Sequence, residues 1–172
     1  MALGKNYEGQ ECALAKALEL VGERWTLLVV RDALYGVRRY GDFLAHLDIP
    51  RAVLSQRLQT LVEAGVLAKH RYQESPARDE YVLTAVGREL WPTVHMLGRW
   101  GEGLTQDGKP WRLFFHIPCD APLDRYTACT ACGGHILPEE VEVRPGPGLP
   151  AVREDPVSLA MRVPHRMLDR LP

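Results

Sequence analysis

Three of the four cysteines and two of the histidines lie in one segment of this 172-residue chain. His116 precedes Cys119 by three positions, and Cys129 precedes Cys132 by the same interval. Two such pairs can place four donor atoms tetrahedrally around one ion, and Zn²⁺ takes this mixture of nitrogen and sulfur ligands. The spacing therefore predicts one structural zinc held by His116, Cys119, Cys129 and Cys132. His135 competes for the fourth place, because it follows Cys132 at the same interval.

The predicted ligand set also indicates what the ion does. Four protein ligands leave no open position for water or substrate, so the ion stabilises a fold and activates no nucleophile. The segment is too short for a large core, and zinc would supply its folding free energy. The alternatives are a small zinc or redox enzyme and a metal-free segment with three buried thiols. No Ser/His/Asp grouping, phosphate-binding glycine loop or facing pair of carboxylates favours an enzyme.

A second stretch with binding chemistry, RAVLSQRLQTLVEAGVL, covers residues 51–67 and predicts a helix that stops at Gly65. Its apolar residues recur at helical spacing and form one stripe. The opposite face has small and hydrogen-bonding side chains and a single late acid, so it can approach a negatively charged surface closely. The stripe consists of Leu54, Leu58, Leu61 and Val62, and the outer face of Ala52, Ser55, Gln56, Gln59 and Glu63.

The elements around this helix follow a recognisable order. Two helices are predicted before it, and the segment YGDFLAHL forms a third that is joined to it by a turn of four residues, which makes a helix-turn-helix unit. Two Val-, Leu- and Tyr-rich strands separated by QESPAR then predict a β-hairpin. A longer amphipathic helix follows, with a kink or a break near Pro92. The predicted ranges are helices at 12–21, 25–35 and 40–47, strands at 66–72 and 79–84, and a helix at 85–104.

Three helices, a hairpin and a further helix describe a winged helix-turn-helix domain, whose second helix of the unit enters the major groove of double-stranded DNA. This placement explains the polar face of residues 51–67. Asp48 is predicted to cap this helix. Protein contact is the alternative use of the same fold. The predicted base-reading residues are Ala52, Ser55, Gln56 and Gln59, and the predicted phosphate contacts are Arg51, Arg57 and Arg78.

Several separated motifs occur in register between Cys12 and Leu104. They are CALAKALELVGERWTLLVVRDALYG, RRYGDF, LSQRLQTLVEAGVL and RDEYVLTAVGREL. Together they resemble the HxlR-type family of winged helix-turn-helix transcriptional regulators. The resemblance implies a homodimer held by the first and last helices, a palindromic operator, and action as a transcription factor, often a repressor.

The chain departs from the family pattern just before the predicted recognition helix. The family has a Ser-Pro pair and a polar pair there, whereas this chain has Ile49-Pro50 followed by Ala52 and Val53. Apolar side chains favour contact with thymine methyl groups over hydrogen bonding. The operator preference of relatives is therefore not transferable to this chain.

Cys12 lies at the predicted start of the first helix. The resemblance extends to regulators that sense oxidants or electrophiles through a cysteine near this place. A helix N-terminus stabilises a thiolate, but the nearby Glu8 and Glu11 oppose that effect. Sensing by Cys12 and inert packing are both open, and the effector, a small molecule or an oxidant, is not identified.

Composition completes the sequence-based prediction. The apolar fraction of 46%, the charged fraction of 25% and the net charge of −1 are ordinary for a soluble protein. Without a membrane span or a secretory signal, we expect a cytoplasmic protein without a membrane partner. The predicted fold class is α+β, with three parts, and the winged helix is expected to have a core separate from that of the residues beyond about 105. The three parts are a winged helix-turn-helix domain (1–104), a zinc-ribbon-like β module (105–145) and a Pro-rich arm (146–172) that is extended apart from a short helix in HRMLDRL.

Overall fold

The computed structural model describes residues 7, 9–105, 108–150 and 152–171. The fold is α+β, as predicted: a mostly helical winged helix-turn-helix region is followed by a small antiparallel sheet. The helices are α1 (Ala13–Val21), α2 (Thr26–Leu34), α3 (Tyr40–Leu47), α4 (Arg51–Glu63), α5 (Ala85–Arg88), α6 (Trp91–Glu102) and α7 (Pro156–Ala160). The strands are β1 (Leu67–Gln73), β2 (Arg78–Leu83), β3 (Arg112–His116), β4 (Ala121–Pro122), β5 (Val141–Pro145) and β6 (His165–Arg166).

The apolar stripe of α4 faces the core, as its spacing predicts. Leu54, Leu58 and Leu61 are buried against residues of α2 and α3, among them Val30 and Phe43. Burying a leucine side chain contributes about 1.5–3 kcal/mol. This burial fixes the rotation of α4, so the opposite face of the helix must point to solvent.

Strands β1 and β2 form the predicted wing. They pair antiparallel, with Leu67 opposite Leu83 and His70 opposite Glu80. The wing is tied to the start of α3, because the Tyr81 backbone N–H donates to the Arg38 carbonyl at 2.8 Å. This bond places the hairpin beside the helix-turn-helix unit.

The long helix predicted over residues 85–104 is two helices, α5 and α6. The Thr84 side chain caps α5 by accepting from the Gly87 N–H, and Pro92 lies in the first turn of α6, where its missing N–H costs no hydrogen bond. The predicted break near Pro92 is confirmed.

The predicted cap of α4 is wrong. Asp48 ends α3 in the left-handed conformation (φ 51°), and α4 begins after Pro50 without a side-chain cap. The turn between the helices uses Asp48 to reverse the chain, so its carboxylate does not cap α4.

The C-terminal part forms a four-stranded antiparallel sheet in the order β4-β3-β5-β6. Strand β3 pairs with β5 from Arg112 opposite Pro145 to His116 opposite Val141. Val141 and Val143 of β5 are buried, so one face of this sheet belongs to the core.

The Pro-rich segment is not an extended arm. It contains α7 and β6, and the helix predicted in HRMLDRL is absent, since His165 and Arg166 pair with β5. Spaced apolar residues hold the segment against the protein, and Val157, Met161, Met167 and Leu171 are all buried.

The C-terminal segment closes onto the winged helix. The Leu168 N–H donates to the Leu34 carbonyl at 2.9 Å, and the Leu171 N–H donates to the Gly36 carbonyl at 3.0 Å. The expectation of separate cores is therefore wrong: the buried residues of the helices and of the C-terminal sheet form one cluster. The division of the chain into three parts at residues 104 and 145 stays a prediction.

A substitution at Gly36 tests the contact between the C-terminal segment and the winged helix. Gly36 has a φ of +94°, and a Cβ at this position would lie 1.7 Å from the Asp169 carbonyl oxygen. We expect Gly36→Ala to lower the free energy of unfolding by about 3 kcal/mol or more, through left-handed strain and a backbone collision. Urea denaturation measures the loss. Gly41→Ala, in α3 and in open space, is the control and should be neutral or slightly stabilising; equal stability of the two variants would contradict the closure.

In the part of the chain that the structure describes, no helix is long and apolar enough to cross a membrane.

Candidate metal centre and DNA-binding surface

The structure brings the four predicted ligand residues together. One donor atom from each of His116, Cys119, Cys129 and Cys132 lies within 4.8 Å of all the others. His116 Nδ1 is 3.1 Å from Cys119 Sγ and 3.6 Å from Cys132 Sγ. Four such donors around one point can hold a metal ion.

Two tight turns position these side chains. His116 ends β3, and a 3₁₀ turn over Ile117–Cys119 brings the Cys119 thiol back towards it. The second turn follows Cys129: the Gly133 N–H donates to the Cys129 carbonyl at 2.8 Å, and Gly133 has a φ of +73°. Glycine adopts this left-handed conformation without a Cβ penalty, which allows the chain to turn directly after Cys132.

Backbone amides favour the thiolate of Cys129. The N–H of Cys132 points at this sulfur, as does the N–H of Ala131 at 3.4 Å, and the amides lower the pKa of the Cys129 thiol to about 6, although burial opposes them. A thiolate is the form that binds metals. The second turn therefore prepares one negatively charged ligand at neutral pH.

Cys119 behaves in the opposite way. Its removal from water raises the pKa of its thiol to about 11, and hydrogen bonds to Cys132 and Cys129 act in the same direction. Without a cation, the cluster cannot hold several thiolates close together, because like charges disfavour each other's ionised form. A divalent cation would remove that penalty.

His135 lies outside the cluster. Its side chain is exposed, and its Nδ1 is 3.3 Å from the Tyr126 carbonyl oxygen. Of the two candidates for the fourth ligand, the structure places His116 with the three sulfur atoms.

The outer face of α4 is open to solvent. Five of the predicted DNA-binding residues are exposed along it: Arg51, Ala52, Ser55, Gln56 and Gln59. Tyr40 supports the start of this face, because its hydroxyl donates to the Arg51 carbonyl at 3.0 Å and lies 3.3 Å from Ser55 Oγ. The Gln59 amide donates to Glu63 at 2.8 Å.

Arg57 occupies a different position from its neighbours. Only 13% of its side chain is exposed, and one guanidinium nitrogen lies 3.7 Å from Glu23. The side chain therefore connects α4 to the segment before α2. A phosphate contact by Arg57 stays a prediction, and a DNA backbone would have to compete with Glu23 for it.

The wing carries basic side chains on both of its strands. Lys69 and Arg71 of β1 share Asp79, at 3.0 Å and 2.7 Å respectively, so their charges are partly neutralised. Arg78 is exposed at the start of β2 and forms no ion pair with any residue in the described ranges. A phosphate contact by Arg78 stays a prediction.

A stacked group near the turn of the wing was missed by the sequence analysis. Tyr72 lies under two guanidinium groups, with Arg39 at 5.3 Å and Arg170 at 5.8 Å from its ring centroid. Arg170 also lies 3.7 Å from Glu80. Arg39 belongs to the basic RRY motif, but no local pattern in the sequence connects residue 170 with the wing.

Cys12 is exposed and directly precedes the first residue of α1. This position agrees with its predicted place at a helix start. Sensing by Cys12 is not tested by the fold.

The helix order and the exposed face of α4 match a known protein class. Residues 20–109 match the model of the HxlR-like helix-turn-helix family. The chain belongs to this family. It is a winged helix-turn-helix transcriptional regulator and, like its relatives, not an enzyme.

Curated relatives extend the likeness beyond the winged helix. An uncharacterised HTH-type transcriptional regulator of Mycobacterium tuberculosis is 42% identical over 151 residues, which cover 87% of this chain and 94% of the relative. A match of this length must continue past residue 109 into the C-terminal sheet. A regulator of Synechocystis is 36% identical over 94 residues, covering 52% of this chain and 70% of the relative.

Solved structures share the fold. The crystal structure of PA1607, a transcription factor candidate, has a TM-score of 0.61 and 32% identity, and the match covers 78% of this chain and 94% of that one. The redox regulator HypR in its oxidised form has a TM-score of 0.50 and 28% identity, covering 54% and 96%. The family, and with it the predicted resemblance, is confirmed.

Proposed function

We propose that the protein is a sequence-specific DNA-binding repressor that acts in the cytoplasm as a homodimer on a palindromic operator. The observation that carries this proposal is the exposed Ala/Ser/Gln face of α4, held outward by the buried leucines and flanked by the wing. Short polar side chains can reach base edges in the major groove. Arg51 at the start of α4 and Arg78 in the wing are both exposed and would contact phosphates.

Sequencing of genomic DNA fragments retained by the purified protein tests this proposal. A two-fold symmetric dimer selects an inverted repeat whose half-sites lie about one helical turn, or about 34–36 Å, apart. Recovery of fragments without a shared repeat would contradict the proposal, and binding sites that overlap promoters would support repression.

We propose that the metal centre holds one structural zinc ion. One nitrogen and three sulfur donors form a ligand set that Zn²⁺ prefers, and four protein ligands close its coordination shell. The bound ion would neutralise the thiolates and fix the turn after β3 to the turn at Cys129. His116 and Cys119 would hold it from one side, and Cys129 and Cys132 from the other.

Apolar residues exposed on α1 and α6 support the dimer. Leu14 of α1 is 65% exposed, and Trp100 of α6 is 66% exposed. Further apolar side chains on the same helices, Leu18, Met96 and Leu97, are also open to solvent. Such surface on a soluble chain marks an interface, and a second copy with two-fold symmetry would cover both helices.

Substitution of one anchor residue tests the dimer. We expect Trp100→Glu to convert the dimer to a monomer at micromolar concentration, because a charge buried in an apolar interface costs several kcal/mol. Light scattering coupled to gel filtration measures the mass. Tyr126→Glu is the control, because it replaces an exposed aromatic side chain in the C-terminal part of the chain, outside α1 and α6. It should leave the mass unchanged. A wild-type monomer would contradict the proposal.

We retain Cys12 as a candidate redox sensor. It is exposed at the start of α1, so oxidation there would act beside the proposed dimer interface. The relative HypR is described as a redox regulator. This role would be supported if peroxide lowers the DNA affinity of the wild-type protein and leaves the affinity of Cys12→Ser unchanged.

A further inference from the structure

A cavity of about 530 Å³ lies between the winged helix and the C-terminal sheet. Its walls come from α2, α6, β3 and the segment around α7, and much of the lining is apolar or aromatic, including Tyr35, Trp91, Phe114 and Met167. Trp91 and Phe114 have ring centroids 5.3 Å apart. Small-molecule sites in proteins have volumes of about 300–1,000 Å³ and linings of this kind.

The cavity carries an excess of positive charge. Five arginines and one acid, Glu102, line it. Three of the arginines have acidic partners: Arg31 pairs with Asp32 at 2.7 Å, Arg99 with Glu102 at 2.7 Å, and Arg153 with Asp155 at 3.2 Å. Arg162 donates to the Arg153 carbonyl at 2.8 Å, and Arg112 is the fifth arginine of the lining.

Arg112 is bound to a backbone carbonyl and, in the part of the chain that the structure describes, to no acid. Its Nη1 donates to the Met161 carbonyl at 2.9 Å, and within the described ranges it forms no ion pair. Burial lowers the pKa of its guanidinium, and although Tyr35 opposes this effect, the positive charge of Arg31 adds to it. A half-buried guanidinium without a counter-charge is unfavourable, and a carboxylate that accepts two parallel hydrogen bonds is its best partner.

We propose that this cavity binds a small carboxylic acid with an aromatic or aliphatic body. The carboxylate pairs with Arg112, and the apolar body packs among Trp91, Phe114 and Tyr35. The proposal assigns the cavity a ligand of defined chemistry and does not depend on DNA binding.

Calorimetric titration of the full chain with 2-naphthoate and with octanoate tests the proposal. The matched neutral probes are 2-naphthamide and octanamide. We expect at least one acid to bind with one site per chain, and its amide to bind at least tenfold more weakly, because the amide cannot form the ion pair. Arg112→Gln should weaken binding of the acid at least tenfold and leave the weak affinity of the amide unchanged.

A cavity-filling variant keeps the test independent of Arg112. Gly98 lines the cavity on α6, and a Cβ there meets no atom within 4 Å. Gly98→Leu should therefore fold normally and lower the affinity of each acid that binds at least thirtyfold. Gly41→Leu in α3 and Arg166→Gln in β6, both outside the cavity, should change affinity less than twofold.

The proposal is overturned if neither acid binds at millimolar concentration, if acid and amide bind equally, or if Gly98→Leu leaves the affinity unchanged. The titration contains no DNA, so a failure of operator binding would leave its outcome intact. The two proposals can thus fail separately.

Discussion

Protein purified without a chelator will contain about one equivalent of zinc per chain, and Cys129→Ser will lose nearly all of it. The four donor atoms already lie within 4.8 Å of one another, so little reorganisation opposes binding. Backbone amides lower the pKa of the Cys129 thiol to about 6, and its serine replacement cannot supply a thiolate. Elemental analysis by inductively coupled plasma mass spectrometry measures the metal.

Loss of the metal should destabilise the whole chain. Structural zinc contributes about 10–16 kcal/mol in isolated zinc-finger peptides. Cys129 belongs to the same buried cluster as Trp91 and Ile136, so unfolding cannot be confined to residues beyond 105, as separate cores would allow. A loss of about 3 kcal/mol would lower the Tm by roughly 6–12 °C for a chain of this size.

Two histidine variants provide the matched control. His116→Ala should reduce the zinc content severalfold, whereas His135→Ala should retain it, because His135 is exposed and outside the cluster. A protein with less than about a tenth of an equivalent of any transition metal, and with freely titrating thiols in the native state, would refute the site.

Acid should release the metal. Protons compete with the cation for the thiolates, and the thiolate of Cys129 is favoured above pH 6 and lost as the pH falls through this value. Zinc transfer to a chromophoric chelator should therefore be slow at pH 7.5 and fast at pH 5. Equal rates at both pH values would contradict thiolate coordination.

The affinity for operator DNA should fall steeply with salt, and Arg78→Ala should make that dependence shallower. Each phosphate contact contributes a slope of about −0.9 in a plot of log affinity against log salt concentration. A dimer that loses both copies of Arg78 should show a slope smaller in magnitude by about two. Fluorescence anisotropy over a salt series measures it.

Base-reading residues should respond differently from phosphate-binding ones. Gln56→Ala should change the preference among operator variants by about 1–3 kcal/mol if it reads a base edge, with no change in salt slope. Arg125 is an exposed arginine of the C-terminal region, and Arg125→Ala is the control for the loss of a positive charge. It should change neither the salt slope nor the preference among operator variants. A flat salt response, or no duplex binding, would favour a protein-interaction module instead.

Local patterns predicted most of the fold and the grouping of His116 with three cysteines. The leucines of α4, the Val-, Leu- and Tyr-rich wing strands and the proline at the start of α6 are each recognisable from neighbouring residues, and their predictions are confirmed. The cluster was predictable because each ligand pair, with its members three positions apart, spans a single tight turn that brings its two side chains together. Spacing alone left His116 and His135 as rivals, and the pairing of β3 with β4 and β5 separates them in space.

The remaining features depend on residues far apart in the chain. The capping prediction for Asp48 failed because the connection between α3 and α4 needs a left-handed residue there. The high proline content of residues 146–172 indicated an extended segment, and local spacing did not indicate that Val157 and Met167 are buried. Neither the cavity beside Arg112 nor the stacking of Arg170 on Tyr72 follows from any local pattern. The residues that form each of them come from distant parts of the sequence.

The closure of the C-terminal segment on Gly36 also has a consequence for biosynthesis. The Arg38 guanidinium donates to the Leu168 carbonyl across 130 residues, and contacts of such separation form late in folding. During translation, α2 and α3 leave the ribosome long before residues 157–171 arrive to contact them. A nascent winged helix therefore exposes Leu34 and Val37 to solvent and to chaperones for the rest of elongation. Only molecules translated through residue 171 can complete this domain, so prematurely terminated products should be cleared by proteases and should not compete for operators.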